Sequence, residues 1–205
     1  TPGIAVYRTI FYIPAIASGV GTAYMWQQIF STHGGLVNSL LNRIGIDGPN
    51  WLYDLNWSMR ALVIIGMWNV GTSMLIYLAS LQGVPQSLFD AASVDGASAW
   101  RKFLSVTVPM ITPAMFFNLV LGVIGSFQVF TAAYIITAGG PANATLFYTL
   151  YLYRVAFQSY HMGFAAAMAW VLFVIILIIT TIQLVVARYW VYYEGGSGRT
   201  AAGPR

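Results

Sequence analysis

Apolar residues in this chain gather in long blocks instead of alternating with polar ones. Four blocks are long enough to cross a bilayer, which takes about 20 mostly apolar residues in a helix. They run over residues 9–30, 61–81, 109–137 and 163–187. The last is uncharged throughout and contains "VLFVIILIITTIQLVV", the plainest spanning segment of the four. Between the first two blocks, Leu36, Leu40 and Leu41 recur near helical spacing, which predicts a short amphipathic helix on the membrane surface. Trp51, Tyr53 and Trp57 follow it and suit the headgroup layer, where an amphipathic ring is most comfortable. The link between the third and fourth blocks opens on Gly139-Gly140-Pro141, a turn signal, and carries Tyr148, Tyr151 and Tyr153, again interfacial by type. Residues 191–205 are Gly-rich and polar, the pattern of a flexible tail.

Composition agrees with the pattern. Hydrophobic residues make up 59% and charged residues 7%, with a mean hydropathy of +0.72, whereas soluble domains carry about 25% charged residues. The expected fold is an all-α, polytopic transmembrane helical bundle, with residues 1–190 as a single transmembrane domain. A net charge of +4 is too scattered for a nucleic-acid patch, and positive-inside placement explains it better. With segment 83–108 inside, that side holds Arg8, Arg101, Lys102, Arg188, Arg199 and Arg205, and the outside holds Arg43, Arg60 and Arg154. Both termini are then expected in the cytoplasm. The absence of cysteine excludes disulfides, thiolate metal sites and cysteine nucleophiles. The opening "TPGIAVYRTIFYIP" lacks signal-peptide features and runs almost directly into a span, so the chain is expected to start partway through a larger protein.

The polar interruption at 83–108 carries the most pattern. Ser87 stands three residues before Asp90, near capping-box spacing, which predicts a helix starting there and running through Ala91, Ala92 and Val94. Asp95-Gly96 predicts a turn, because glycine tolerates positive φ. Ser98 can cap a second short helix holding Trp100, Phe103 and Leu104. Pro109 is then placed at the start of the third span, where its missing N–H is harmless. Ala91, Ala92 and Ala97 give this helix–turn–helix knuckle a small face that a partner's backbone can approach closely.

The stretch "DAASVDGASAWRKFLSVTVPMITP" resembles the EAA motif of bacterial ABC importer permeases: acidic-Ala-Ala, two residues, Asp-Gly-Ala, five residues, Phe, then Pro. The matching positions are Asp90, Ala91, Ala92, Asp95, Gly96, Ala97, Phe103 and Pro109. "RTIFYIP", "MWQQIF", "GLVNSLLNRIGI", "NWL", "TAGGPANAT" and "YLYRVAFQSYHMGFAAAMAW" are similar to the carbohydrate-uptake branch, in particular to the first permease of maltose-type and glycerol-phosphate-type importers. The resemblance covers nearly everything except the tail. It implies a non-catalytic subunit in a bacterial or archaeal cell membrane that forms half of a path for a sugar or polyol. It also implies a second permease, a cytoplasmic ATPase dimer that uses ATP and Mg, and an extracytoplasmic solute-binding protein as partners. The knuckle would dock in a cleft of the ATPase and carry motion into the membrane. Two departures stand out. Asp90 replaces the family's Glu, leaving open whether it couples or only caps, and the family normally has at least two more helices before the first span, so the resemblance implies a chain truncated at its N-terminus.

Other chemistry is thin. A phosphate-binding loop needs Gly-Lys-Ser or Gly-Lys-Thr, and the single lysine, Lys102, lies between Arg101 and Phe103. ATP hydrolysis therefore belongs to another chain. His33 and His161 lack metal-site spacing, and no carboxylate pair lies within a span to support a proton relay. Polar side chains inside spans mark either a substrate path or helix packing. Asn69, Thr72 and Ser73 cluster in the second span beside Trp68, and Asn118, Gly122 and Ser126 recur in the third, near Gln128 and Phe130. Asn69, Thr72, Ser126 and Gln128 are the expected substrate contacts. An importer for another solute, such as an amino acid, or a membrane scaffold without transport activity are the rival readings.

Overall fold

A computed structural model describes residues 4–17 and 19–192. Every regular element among them is helical. In chain order these are α1 (Ile4–Ile16), α2 (Gly19–Ile29), α3 (Leu36–Arg43), α4 (Ser58–Gln82), α5 (Gln86–Val94), α6 (Ala99–Phe127), α7 (Tyr148–Tyr153) and α8 (Met162–Ala187). A lone π turn, Ala133–Thr137, follows α6, and another, Arg154–Gln158, extends α7. Among the described residues, α4, α6 and α8 are long and apolar enough to cross a membrane.

The second and fourth expected spans fall on α4 and α8. The other two need correction. The first, 9–30, is divided between α1 and α2, with Ala17 in a bend and Ser18 outside the described residues. Pro14, inside α1, has no N–H for the helix ladder, and Gly19 and Gly21 beyond the bend favour a break. The third span begins at Ala99 and ends at Phe127, ten residues before the expected boundary at each end. The second knuckle helix is thus not a separate piece but the first turn of a membrane-length rod.

The chain divides into two compact units, Thr1–Thr72 with Ile124–Ile176, and Ser73–Val123 with Leu177–Arg205. The first unit has a core of Ala23, Phe30, Leu52, Ala61, Leu62, Ile65 and Ile136, flanked by Trp26, Trp51 and Phe147. Here α1 and α4 cross closely: a Cβ on Gly71 would lie 2.2 Å from the Phe11 carbonyl oxygen. Small residues permit such backbone approach between membrane helices. The predicted amphipathic helix is present as α3, with Leu36 and Leu40 exposed on one face. Its buried residue is polar: Asn38 donates to the Thr32 and Pro49 carbonyls and accepts from the Trp51 indole at 2.7 Å. Trp51 therefore serves as a polar lock on the loop, with its ring tilted against Phe30 and edge-on to Trp57. Of the three interfacial candidates there, Tyr53 is the exposed one.

A second cluster in this unit joins Val155 and Ala156 to Ala165 and Met168, and the Tyr148 hydroxyl donates to the Met168 carbonyl at 2.9 Å. The Gly-Gly-Pro loop carries left-handed backbone at Ala138, Gly139, Ala142 and Asn143. Buried hydroxyls hold it: Thr137 and Thr145 lie 2.7 Å apart, and Thr145 donates to the Gly140 carbonyl at 2.7 Å. An Arg154 guanidinium N–H closes the loop by donating to the Ala138 carbonyl.

In the second unit, Phe116 and Val120 of α6 pack with Ala187 and Val191, and Phe116 meets the edge of Trp190. Val191 is buried and the Tyr192 N–H is bonded, so the expected flexible tail does not begin at 191. Residues 193–205 lie outside the described residues.

Candidate functional site

The knuckle is built by its own short-range chemistry. Helix α5 starts after Pro85, whose extended backbone and lack of a side-chain oxygen leave Ser87 inside the first turn. The expected Ser87 cap is therefore absent: proline supplies the helix start through its fixed φ, and the Gln86 amide donates to Asp90 at 3.4 Å in place of a capping box. At the other end α5 closes in a Schellman arrangement. The Ala97 N–H donates to the Ala92 carbonyl at 2.9 Å and the Gly96 N–H to the Ser93 carbonyl at 3.1 Å, with Gly96 at φ 68°. The expected Asp95-Gly96 turn is there, and glycine is required by backbone angle, not by crowding, because a Cβ would meet nothing within 4 Å. Ser98 caps α6 as expected, accepting from the Arg101 N–H at 3.4 Å.

Nothing in α5 is buried, and neither is any residue of Ala99–Lys102. Asp90, Ala91, Asp95 and Gly96 are exposed, Ala92 and Ala97 half-buried, and Val94 is 89% exposed. Phe103 is exposed too, stacked on Trp100 with centroids 5.5 Å apart. The eight motif positions thus lie along one short, outward segment and the root of α6.

That root solves a proline problem. Pro109 is not at a helix start; α6 already runs from Ala99. A proline inside a helix lacks a donor and clashes with the carbonyl four residues back. Here the preceding turn, Phe103–Thr107, widens to π geometry, with the Val108 N–H reaching the Phe103 carbonyl. Pro113 in turn has no N–H to give the Pro109 carbonyl, and the Thr112 hydroxyl donates to it at 2.7 Å. The Thr112 hydroxyl oxygen itself accepts the Tyr192 N–H at 2.9 Å, tying the chain beyond α8 to the knuckle's root. A cavity of about 240 Å³ lies there, lined by Leu88, Ser105, Val106, Pro109, Met110 and Tyr192.

A larger cavity, about 500 Å³, lies in the first unit. Leu62, Ile65 and Gly66 of α4 line it together with Ser126, Phe130 and Phe147. Of the expected substrate contacts it contains Ser126. Thr72 and Gln128 are exposed but do not line it, and the Asn69 side chain lies outside the described residues. Asn118 is turned inward on its own helix, donating to the Ala114 carbonyl at 3.1 Å.

Phe130 also begins an aromatic ladder that sequence spacing did not reveal. It stacks on Tyr134 at 5.3 Å and meets Tyr153 at 5.1 Å, and Tyr153 meets Phe157 at 5.1 Å. A hydrogen bond with Tyr134 holds the Tyr153 phenol above its ordinary pKa. The signal available in sequence was the pair Tyr153/Phe157 at helical spacing. Their meeting with Phe130 and Tyr134 depends on tertiary structure.

Membrane-length helices joined to an exposed helical knuckle at a proline-bearing root make this an all-helical membrane-spanning component. The chain belongs to the family of binding-protein-dependent transport system inner membrane components, which it matches over residues 5–190. It is 46% identical over 196 residues to the probable ABC transporter permease protein YesP of Bacillus subtilis (strain 168), covering 94% of this chain and 63% of that protein. To the lactose transport system permease protein LacF of Rhizobium radiobacter it is 33% identical over 189 residues, covering 89% of this chain and 63% of that one. A solved bacterial alginate ABC transporter, in complex with an alginate pentasaccharide-bound periplasmic protein, matches with TM-score 0.82 and 25% identity, covering 90% of this chain and 65% of the matched chain. The chain thus spans less than two thirds of the length of these relatives.

Proposed function

We propose that this chain is part of the permease subunit of an ABC importer for a sugar or oligosaccharide, and that residues 86–98 are its docking joint for a separate ATPase subunit. The observation that carries the reading is the knuckle. It is a short helix without a buried residue, turned outward by a Schellman turn, and continuous through α6 with a membrane-length rod. A joint of this kind presents small side chains to a partner and passes displacement directly to a spanning helix. Asp90, Ala91, Ala92, Asp95, Gly96 and Ala97 make the docking face, and Phe103 and Pro109 join it to the rod. Asp90, held by Gln86, acts from within the helix and does not cap it.

Substrate passes beside the cavity that Ser126 and Phe130 line, and Thr72 and Gln128, which are exposed and do not line it, are proposed as contacts elsewhere on the path. The carbohydrate class is supported by the lactose permease and the alginate importer among the relatives. The partners are a second permease, an ATPase pair that binds ATP and Mg, and an extracytoplasmic solute-binding protein of the kind seen with the alginate transporter. The subunit resides in the cytoplasmic membrane of a prokaryote, with the knuckle and both ends of this chain on the ATPase side.

The deciding experiment is ATP-driven uptake of labelled oligosaccharides by proteoliposomes holding the complete transporter, with and without the subunit that carries this chain. Loss of uptake for one saccharide class on omission is the expected result. Undiminished uptake, or dependence on amino acids alone, defeats the proposal.

A further inference from the structure

We infer that Lys102 is a positioning residue of the knuckle: by holding Ser93, it sets the angle at which α5 is presented to the ATPase subunit. The inference rests on the docking reading above. Lys102 is the only lysine of the chain and lies outside the motif positions. Its ammonium group donates to the Ser93 hydroxyl at 2.7 Å, across the turn and nine residues back. Ser93 is itself fixed, because its hydroxyl donates to the Phe89 carbonyl at 2.7 Å. The Lys102 N–H donates to the Ser98 carbonyl at 2.9 Å, which fixes the other end of the tie in the first turn of α6.

The need for such a tie follows from burial. Helices in a packed core are held by interdigitated side chains, and α5 has no buried residue with which to do this. The Schellman bonds fix Gly96 and Ala97 and the capping bonds fix Ser98 to α6, which leaves the link between Ala97 and Ser98 as the pivot between the two helices. The Lys102–Ser93 bond spans that pivot and closes a ring. It also places a positive charge beside the last turn of α5, where the helix dipole favours it. A coupling joint that swings dissipates a partner's stroke; a clipped one transmits it.

The test uses the complete transporter in proteoliposomes and reads solute imported per ATP hydrolysed, together with co-purification of the ATPase subunit. Lys102→Met is expected to lower the ratio on the order of threefold, the scale of one lost solvent-exposed charged contact, while the ATPase still co-purifies. Ser93→Ala should match it, the double variant should be no worse than either single, and Lys102→Arg should keep most of the ratio. A silent Ser93→Ala beside an impaired Lys102→Met overturns the inference, since lysine would then act directly on the partner. Additive losses in the double variant overturn it as well. Ala91→Trp, on the exposed face, separates the two levels. If it abolishes co-purification while Lys102→Met equals wild type, the clip fails and the docking face stands. If it leaves co-purification and uptake unchanged, the docking reading falls and the clip with it.

Discussion

Substituting Gly96 offers a direct measure of how much the knuckle depends on one backbone angle. At φ 68°, an L-residue with a Cβ costs roughly 1–2 kcal/mol relative to glycine. The turn it sits in is held by two backbone hydrogen bonds, Ala97 to Ala92 and Gly96 to Ser93, each contributing about 0.5–1.5 kcal/mol net. No buried residue of α5 reinforces them. In Gly96→Ala the strain is comparable to the whole of that stabilisation, so the turn changes from mostly formed to partly formed. One to two kcal/mol shifts the turn's equilibrium constant roughly 5–30-fold; because the turn starts mostly formed, the competent fraction f, and apparent affinity with it, falls by about two- to fivefold. Titrating the ATPase subunit onto nanodisc-held permease variants should therefore give the order Gly, then Asn, which visits left-handed backbone readily, then Ala, then β-branched Val. Uptake should follow the same order. A Cβ at this position meets open space within the chain, so a purely steric role would require a partner pressed against Gly96. In that case Asn, being larger, would be worse than Ala. An Asn variant weaker than Ala, or an Ala variant equal to wild type, refutes the backbone argument.

Other perturbations test the parts that hold the knuckle and the core. Gly71→Ala drives a Cβ to 2.2 Å from the Phe11 carbonyl oxygen, and separating α1 from α4 should cost about 1–3 kcal/mol, seen as a lower Tm in detergent; an unchanged Tm would show that the two helices do not cross there. Thr145→Val removes a fully buried hydroxyl from Thr137 and the Gly140 carbonyl and should destabilise by about 1–3 kcal/mol, with Thr145→Ser recovering most of it. Thr112→Val strips the Pro109 carbonyl of its donor and the Tyr192 N–H of its acceptor, so trypsin should cut after Arg188 faster than in wild type; equal cleavage rates would contradict the tie.

What sequence could supply follows from the range of each interaction. Asp95-Gly96 and Ser98 were legible because a turn and an N-cap are decided within a few residues. Ser87 misled for a related reason: Ser-x-x-Asp mimics a capping box, yet Pro85 two positions earlier starts the helix. The extent of α6 was hidden because Pro109 marks a helix start far more often than a helix interior, and the π turn that makes an interior position tolerable leaves no composition signal. The spans on α4 and α8 were plain from apolar length alone. Asn38 ran against the periodicity: leucines on α3 predicted the exposed membrane-facing side, and the buried side is polar because Trp51 and the Pro49 carbonyl, distant in sequence, come to meet it. Within the cavity, Ser126 was found through its spacing with Asn118 and Gly122, but the same spacing grouped it with Asn118, which bonds back to its own helix.

The widened turn at Phe103–Thr107 makes chain length an angular setting. Each residue of an α-helix advances about 100° around the axis, and a π turn absorbs one extra residue without breaking the rod. Removing one residue between Phe103 and Pro109 would restore ordinary α-geometry there and leave the bearing of Ala99–Lys102, and of α5 with it, nearly unchanged, while bringing the Pro109 ring against the carbonyl four residues back. Removing a second would find no widened turn to absorb it and would swing the knuckle by about 100° about α6. The direction in which this joint looks is written as a residue count, and the widened turn gives that count a tolerance of one.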